Sequence, residues 1–175
     1  MTRELVGEEL AAHAERLAPG SVAKTTATAC YLRPERAIEA FQALRRDSQT
    51  DLIHLTNLCG VDFWDHFEVV YHLQSFDRNH IGVFKVETWD REKAVVPSVM
   101  PVWFGAWMQE CEAYDLLGIH FEGNTRQHRI LLWEGFPGHP LRKDWLSMPG
   151  GLQPGLSEFA GTARRETPPV RVVED

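Results

Sequence analysis

Glu110 and Asp115 are the two carboxylates whose surroundings in the chain most readily suggest chemistry. A carboxylate among aromatic residues needs a partner, because an unpaired buried charge costs on the order of 3–5 kcal/mol. Two paired acids can act as general acid and general base. A structural ion pair between Glu110 and an arginine, such as Arg129 or Arg142, is the favoured alternative. On a continuous helix, Glu110 would share a narrow arc with Trp103, Trp107, Tyr114 and Leu117.

The eight histidines of the chain suggest a metal site as a second possibility. No two of them have the spacing of a zincin helix, and the sequence contains no Cys-x-x-Cys. His54, His72 and His80 can approach one another across predicted strands, but half-exposed sheet histidines are the favoured interpretation. We therefore predict that this chain binds no metal.

Nucleophiles and phosphate-binding loops have equally weak signals. Cys111 is flanked by Glu110 and Glu112, and two carboxylates would raise the pKa of its thiol, so it is a poor nucleophile. Neither Gly-x-Gly-x-x-Gly nor a Walker loop occurs in the sequence. The residues therefore predict neither a cysteine nucleophile nor a phosphate-binding loop.

Composition limits the class of protein further. The chain has 175 residues, the length of one domain, and is 43% hydrophobic. Its net charge of −7 argues against a general nucleic-acid binder. Three cysteines do not suggest a disulfide framework, and no apolar run approaches the about 20 residues of a membrane-spanning helix. We expect a soluble, cytoplasmic protein without a signal peptide.

The elements that would position these residues follow from apolar periodicity and from turn signals. Helices are predicted over 4–17, over 34–46 after the favourable Pro34, and over 99–117 with Ser98 as N-cap, a possible break at Gly105 and a stop at Gly118. One or two strands are predicted in 22–32, followed by a three-strand meander over 52–63, 67–75 and 81–88. We therefore predict an α+β domain over residues 1–121. Its sheet is mixed or antiparallel, with the helices on one face.

Two segments follow this domain. Residues 122–145, which we call the C-terminal strap, are predicted to be ordered but irregular. Arg126, Arg129, Arg142 and Lys143 give the strap a locally basic character. Rigid segments bearing Arg and Trp are typical of protein contact surfaces, and an anion pocket is the alternative. Residues 146–175 contain four Pro and four Gly and predict a flexible or partner-binding tail.

The residues of this region resemble a known family. Residues 110–124 read Glu-Cys-Glu-Ala-Tyr-Asp-Leu-Leu-Gly-Ile-His-Phe-Glu-Gly-Asn; Arg-Ile-Leu follows at 129–131 and Gly-His-Pro-Leu-Arg-Lys-Asp-Trp at 138–145. This pattern resembles the respiratory complex I 30 kDa subunit family, known in bacteria as the C subunit of NADH:quinone oxidoreductase. The segments 58–62, 67–73 and 97–107 are also similar, so that the resemblance covers roughly 51–145.

The resemblance implies a structural subunit of the hydrophilic arm that has no catalytic residue and no cofactor of its own. FMN and iron–sulfur clusters are expected in partner subunits. The expected partners are the 49 kDa quinone-site subunit and neighbouring iron–sulfur subunits, on the cytoplasmic side of the bacterial inner membrane, with membrane contact only through the complex. The motif residues expected to organise the junction are Glu110, Glu112, Asp115, Gly118, Arg129, Gly138, His139, Pro140, Arg142, Lys143 and Asp144.

Two positions depart from the family pattern. Cys111 stands where the family has an arginine, and residues 125–128 replace a proline-rich step. Three alternatives remain open: the equivalent subunit of an F420H2 or ferredoxin dehydrogenase or of a membrane-bound hydrogenase; a freestanding acid/base enzyme; and a binding module for anions or peptides.

Overall fold

The computed structural model describes residues 2–136 and 138–146. Its helices are α1 (Gly7–Leu17), α2 (Pro34–Arg46), α3 (Ala106–Leu117) and the short α4 (Lys143–Leu146). Its strands are β1 (Arg3–Glu4), β2 (Val22–Thr25), β3 (Ala29–Leu32), β4 (His54–Asp62), β5 (Phe67–Ser75), β6 (His80–Thr88), β7 (Val95–Pro97) and β8 (His120–Glu122).

A mixed sheet with strand order β2-β3-β6-β5-β4 forms the centre of the fold. Strands β4, β5 and β6 form the antiparallel meander that the sequence predicts. Strand β3 pairs with β6 in parallel, and so does the short β1, whose Arg3 lies opposite His80. A parallel pair needs a crossover connection, and the chain between β3 and β6 contains both α2 and the two other meander strands.

All three long helices lie against the same face of this sheet. Leu10 of α1 packs against Gly82 of β6, and Leu117 of α3 packs against Gly60 of β4, so closely that a Cβ on either glycine would collide with it. From α2, Phe41 reaches the centre of the core. The centroid of its ring lies 4.8 Å from that of Tyr71 and 5.7 Å from that of Phe84. The predicted α+β class with helices on one face is confirmed.

Helix α2 begins and ends where the sequence predicts. Pro34 occupies its first turn, where the missing N–H has no partner to lose, Glu35 lies beside it, and Arg45 and Arg46 lie in the last turn. Its buried face, which includes Phe41 and Leu44, covers the sheet. None of the described helices is both long enough and apolar enough to cross a lipid bilayer.

Two predicted boundaries were wrong, and one strand pair was missed. Helix α1 begins at Gly7 rather than at residue 4, because Arg3 and Glu4 pair with β6. The predicted helix over 99–117 begins only at Ala106, directly after the break that was predicted at Gly105. Residues 99–105 form turns closed by the carbonyl groups of Val99 and Trp103, so Ser98 is no N-cap. The parallel pair of β7 and β8 was not predicted. The tail predicted for 146–175 lies outside the described residues except for Leu146.

Replacement of Gly7 by Ala tests how tightly α1 docks on the β2–β3 turn. A Cβ at this position would lie 2.0 Å from the carbonyl oxygen of Thr26 and 2.6 Å from that of Ala29, and both are backbone atoms. We expect Gly7→Ala to lower the free energy of unfolding by about 1–3 kcal/mol, since the backbone must shift. Urea denaturation measures the change. The control is Gly105→Ala, where a Cβ meets nothing within 4 Å; an equal loss in both variants would contradict the prediction.

Candidate functional site

The C-terminal end of α3 is the point at which the motif residues converge. A helix leaves its last four carbonyl groups without intrahelical donors. Gly118 ends the helix in the left-handed conformation, at φ +75°, as its place in the motif predicted. Gly118 is required for a second reason as well. A Cβ there would lie 2.6 Å from Cδ2 of His139, whose ring lies against the glycine.

Asp115 lies in the last turn of α3 and is fully buried. Its Oδ2 accepts three backbone N–H bonds, from Ile130, Leu131 and Leu132, at 2.8–3.0 Å. Its Oδ1 accepts a bond of 2.7 Å from Nη1 of Arg129. Burial by itself raises the pKa of this carboxyl group, but these donors outweigh burial and hold the pKa below its usual value. The carboxylate therefore shapes a turn of the C-terminal strap around itself.

The strap also supplies the donors that the end of α3 lacks. The carbonyl of Asp115 is hydrogen-bonded to Arg129 and to Nδ1 of His139. The Leu116 carbonyl accepts from the backbone N–H of Leu141, and the Leu117 carbonyl accepts from Nε of Arg142. Two arginines at a helix C-terminus also complement the negative end of its dipole. The strap is therefore the cap of α3.

A second anchor fixes the distal end of the strap to the sheet. The side chain of Arg91 pairs with Asp62 at the end of β4 and lies 3.4 Å from Oδ2 of Asp144. Oδ2 of Asp62 accepts a bond of 2.6 Å from the backbone N–H of Lys143. Nη2 of Arg142 reaches the carbonyl of Arg91. Residues of β4, the loop after β6 and α4 are thereby joined.

Close packing explains the motif glycine at 138. A Cβ on Gly138 would lie 2.2 Å from the ring of Trp145, which covers the backbone at that point. The carbonyl of Gly138 accepts from Nη2 of Arg129 at 3.0 Å. The motif glycine, arginine and tryptophan therefore form one packed unit.

Glu110 has partners other than the arginine that was predicted. This side chain is fully buried, and its oxygens accept bonds from the Ser98 hydroxyl, the Val99 N–H and the Asn124 amide at 2.8–3.1 Å. Burial is the largest influence on this carboxyl group and raises its pKa, although the three donors counteract it. The prediction of a Glu110–arginine pair was wrong; Arg129 pairs with Asp115, and Arg142 binds carbonyl groups.

Glu110 and Asp115 do not form an acid/base pair. They are five residues apart on one helix, which places them about 140° apart around its axis. One carboxylate serves the loop after β7, and the other serves the strap. The aromatic arc fails as well, because Trp103 lies outside α3 and packs on Phe41 in the main core.

Some of the other candidate residues contact the strap or the end of α3, and others do not. Glu112 is exposed on α3 and lies outside the cluster. Pro140 is half-buried in the turn that leads to Leu141. Cys111 is buried beneath the strap, with its thiol 3.4 Å from the Arg126 carbonyl. His80 contacts the Thr50 carbonyl on the helix-covered face of the sheet, and His72 points away from that face, so they do not cluster.

Four residues of the site were missed or misjudged by sequence reasoning. Asp62 and Asn124 lay within segments that resemble the family, but no role was assigned to them. Ser98 was predicted to accept a backbone N–H as a helix cap, whereas its hydroxyl donates to Glu110. Arg91 had no signal at all, because it is 29 residues from Asp62 and 53 from Asp144 along the chain. Only the folded chain brings Arg91 and the two aspartates together.

Arg129 of the strap points inward, whereas three large apolar side chains of the strap are exposed. Arg129 uses its donors on Asp115, Phe136 and Gly138, which leaves little for an anion. In contrast, Leu131 is 59% exposed, Trp133 48% and Leu141 53%. Beside the strap, the rings of Trp64 and Phe104 are also exposed and lie beneath the cations of Lys143 and Arg126. The outer surface of the strap is therefore apolar at several points.

Comparison with solved structures defines the class of fold. The chain is similar to one chain of the membrane-bound sulfane sulfur reductase, described as an archaeal respiratory membrane complex, with a TM-score of 0.64. The match covers 78% of this chain and 84% of that chain, at 20% sequence identity. The α+β domain with its capped third helix is therefore a fold that also occurs in that complex.

Sequence comparison identifies the family. Residues 30–148 match the family described as respiratory-chain NADH dehydrogenase, 30 Kd subunit, and the chain belongs to this family. It is 44% identical over 117 residues to the C subunit of NADH-quinone oxidoreductase from Roseiflexus castenholzii, covering 65% of this chain and 67% of that protein. It is 41% identical over 145 residues to the protein of the same name from Caulobacter vibrioides, covering 81% and 72%. The resemblance of the motif residues is confirmed.

Replacement of Asp115 by Asn tests the anchor of the strap. The amide nitrogen would face N–H donors, so we expect the free energy of unfolding to fall by about 2–4 kcal/mol at neutral pH. Because the pKa of Asp115 is lowered in the folded chain, its ionisation stabilises the fold above the unfolded pKa and this stabilisation is lost on acidification. The deficit of Asp115→Asn should therefore shrink as the pH falls. Urea denaturation at several pH values measures it. Exposed Glu112→Gln is the control and should change stability by less than about 0.5 kcal/mol.

Replacement of Glu110 by Gln should show the opposite pH dependence. The pKa of Glu110 is raised in the folded chain, so the folded state binds the proton more tightly than the unfolded state does. The wild-type chain therefore loses stability as the pH rises from the unfolded pKa of Glu110 to its folded pKa. Gln stays neutral, and the stability of Glu110→Gln relative to wild type should therefore increase with rising pH. The same denaturation series tests this; a difference that declines with rising pH would contradict the assignment.

Proposed function

We propose that this chain is a non-catalytic structural subunit in the hydrophilic arm of a proton-translocating NADH:quinone oxidoreductase, respiratory complex I. In this proposal it packs on the 49 kDa quinone-site subunit, near neighbouring iron–sulfur subunits. FMN and the iron–sulfur clusters belong to the partners, and this chain carries no redox cofactor. The chain lies peripherally on the cytoplasmic side of the bacterial inner membrane and reaches the membrane only through the complex.

The observation that carries the proposal is the construction of the strap. Arg129 and Arg142 hold the strap against α3, and the backbone N–H of Lys143 holds it against β4, so contacts within the chain itself fix the course of the strap. Its exposed side chains Leu131, Trp133 and Leu141 are apolar. Tryptophan is among the residues that carry most of the binding energy of protein interfaces, apolar neighbours such as leucine exclude water around it, and groups that are already fixed lose little side-chain entropy when they dock. The motif residues then act indirectly, by holding this surface in shape.

The electron donor is assigned from the relatives. Proteins 41–46% identical to this chain, from Roseiflexus, Caulobacter and Brucella, are named as the C subunit of NADH-quinone oxidoreductase, which supports NADH. An F420H2 or ferredoxin dehydrogenase, or a membrane-bound hydrogenase, would carry an equivalent chain with a different input subunit. The identity of that input subunit decides between these donors.

Affinity purification of the tagged chain from native membranes, followed by mass spectrometry, tests the proposal. We expect flavin-bearing and cluster-bearing dehydrogenase subunits in fixed stoichiometry, with a quinone-site subunit as the direct neighbour in crosslinks. An F420H2-oxidising or hydrogenase input subunit would replace NADH by another donor. Recovery of the chain alone from the soluble fraction would refute the assembly role, and turnover by the isolated chain would refute the non-catalytic one.

Replacement of Leu131 by Asp tests whether the strap surface docks on the partner. Leu131 is 59% exposed, so the isolated chain should keep its stability, whereas a charge placed in a buried contact should reduce co-purification by about tenfold or more. The matched control is Phe76→Asp. Phe76 is 57% exposed in the turn between β5 and β6, at the far end of these strands from the Asp62 anchor. Equal assembly of both variants, or an equal loss, would contradict docking through the strap.

A further inference from the structure

A rigidly held histidine lies on the sheet face opposite the helices, at the turn between β4 and β5. The imidazole of His66 is stacked between two aromatic rings: Phe63, with centroids 4.6 Å apart and planes 1° from parallel, and Trp89, with centroids 4.5 Å apart. The residue is only 9% exposed. Because an aromatic ring lies against each face, the imidazole cannot tilt out of its plane. Its two nitrogens therefore point sideways, out of the edges of the stack.

The hydrogen bonding of His66 fixes which nitrogen carries the proton. Nδ1 lies 2.7 Å from Oδ1 of Asp65. An ionised carboxylate only accepts hydrogen bonds, so Nδ1 is the donor. In the neutral ring, Nε2 then carries a lone pair. A carboxylate that orients a histidine through Nδ1 in this way is the usual second partner of a metal-binding histidine.

Nε2 of His66 is buried and makes no hydrogen bond. It points toward Oε1 of Glu68 and Oε1 of Glu87, each 3.8 Å away. These separations are too long for a hydrogen bond. The Tyr31 hydroxyl donates to Oε1 of Glu68, and Lys24 pairs with Oε1 of Glu87, so both oxygens have partners. The buried Nε2 that faces them has none, and a buried polar atom without a partner is costly.

The strand register explains why the two carboxylates lie side by side. Glu68 of β5 and Glu87 of β6 are direct partners in the antiparallel ladder and project from the same face. Like charges directly opposite each other destabilise a sheet. Lys85 binds the outer oxygen of Glu68 at 2.9 Å, and Lys24 binds Glu87, so each glutamate is paired with one lysine, while Asp65 is 68% exposed to solvent. What the cluster lacks is therefore a partner for Nε2 of His66.

We propose that His66, Glu68 and Glu87 bind one divalent transition-metal ion, of which Zn²⁺ is the best match. One imidazole nitrogen and two carboxylate oxygens are a suitable donor set for zinc, with water in the fourth position. The candidate ligand atoms all lie within 4.8 Å of one another. Ligand atoms around tetrahedral zinc are separated by about 3.4 Å, so the two separations of 3.8 Å from Nε2 need to close by about 0.4 Å, and one of up to 4.8 Å by up to about 1.4 Å. The ion would tie β5, β6 and the β4–β5 turn together.

Metal titration of the full 175-residue chain tests this site. The chain is stripped with a chelator and titrated with ZnCl₂ in a calorimeter, and CoCl₂ is added separately to read the coordination geometry from its visible absorption. We expect one equivalent to bind, with a tetrahedral cobalt spectrum and a rise in melting temperature that follows the added metal.

The variants identify the ligands. His66→Gln and Glu87→Gln should each weaken binding by at least about 100-fold, and Asp65→Asn by about 10–100-fold, as expected for a positioning residue. His72→Gln, on the same sheet face but outside the cluster, is the matched control and should bind like wild type. Circular dichroism shows whether each variant is folded; if His66→Gln is not, Glu87→Gln, on the rim of the cluster, decides.

Two outcomes overturn the proposal. If the wild-type chain binds no stoichiometric metal, the positive group at this point is a proton on His66, and the cluster is an ion-pair network. If binding persists undiminished in folded His66→Gln and Glu87→Gln, the metal binds elsewhere in the chain. Neither outcome affects the assembly role, which is measured by co-purification.

Discussion

The carbonyl groups at the C-terminal end of α3, which have no donors within the helix, are the constraint on which the rest of this structure depends. A helix that ends inside a protein must find donors for these groups, and here the donors come from the backbone and side chains of a segment that begins five residues later. Asp115 lies at the same place and turns the strap back on itself by collecting three N–H groups and one guanidinium. The cap of α3, the turn of the strap and the burial of Asp115 therefore depend on one another.

This constraint explains why a basic strap does not form an anion site. The guanidinium groups of Arg129 and Arg142 are used on α3, so the charge that the sequence displays is absorbed inside the fold. Apolar side chains such as Leu131 are left outside. A segment whose arginines are satisfied inside the chain and which exposes large apolar side chains is suited to dock against a second protein surface without reorganising. The family membership of the chain and the physics of the strap thus support the same role.

The two buried carboxylates of α3 illustrate how surroundings, rather than residue type, determine behaviour. Asp115 receives enough donors to lower its pKa in spite of burial, whereas Glu110 receives fewer and its pKa is raised.

The turn at Phe63 connects the strap to the sheet face that is opposite the helices. Phe63 stacks on His66 on one side, and its carbonyl accepts from Arg91, which also holds the end of the strap. The proposed metal centre is therefore next to the distal anchor.

The sequence by itself determined those features that depend on neighbours along the chain. Pro34 and the apolar period specify α2, the alternation over 67–75 specifies β5, and Gly118 ends α3, because these signals act within one or two turns of backbone. The motif over 110–145 also sufficed to recognise the family. Only the tertiary structure decided that Glu110 binds Ser98 and Asn124, that Arg91 joins Asp62 to Asp144, and that His66 faces Glu68 and Glu87. These contacts depend on strand register and on where the strap returns, and neither quantity has a local signal in the chain.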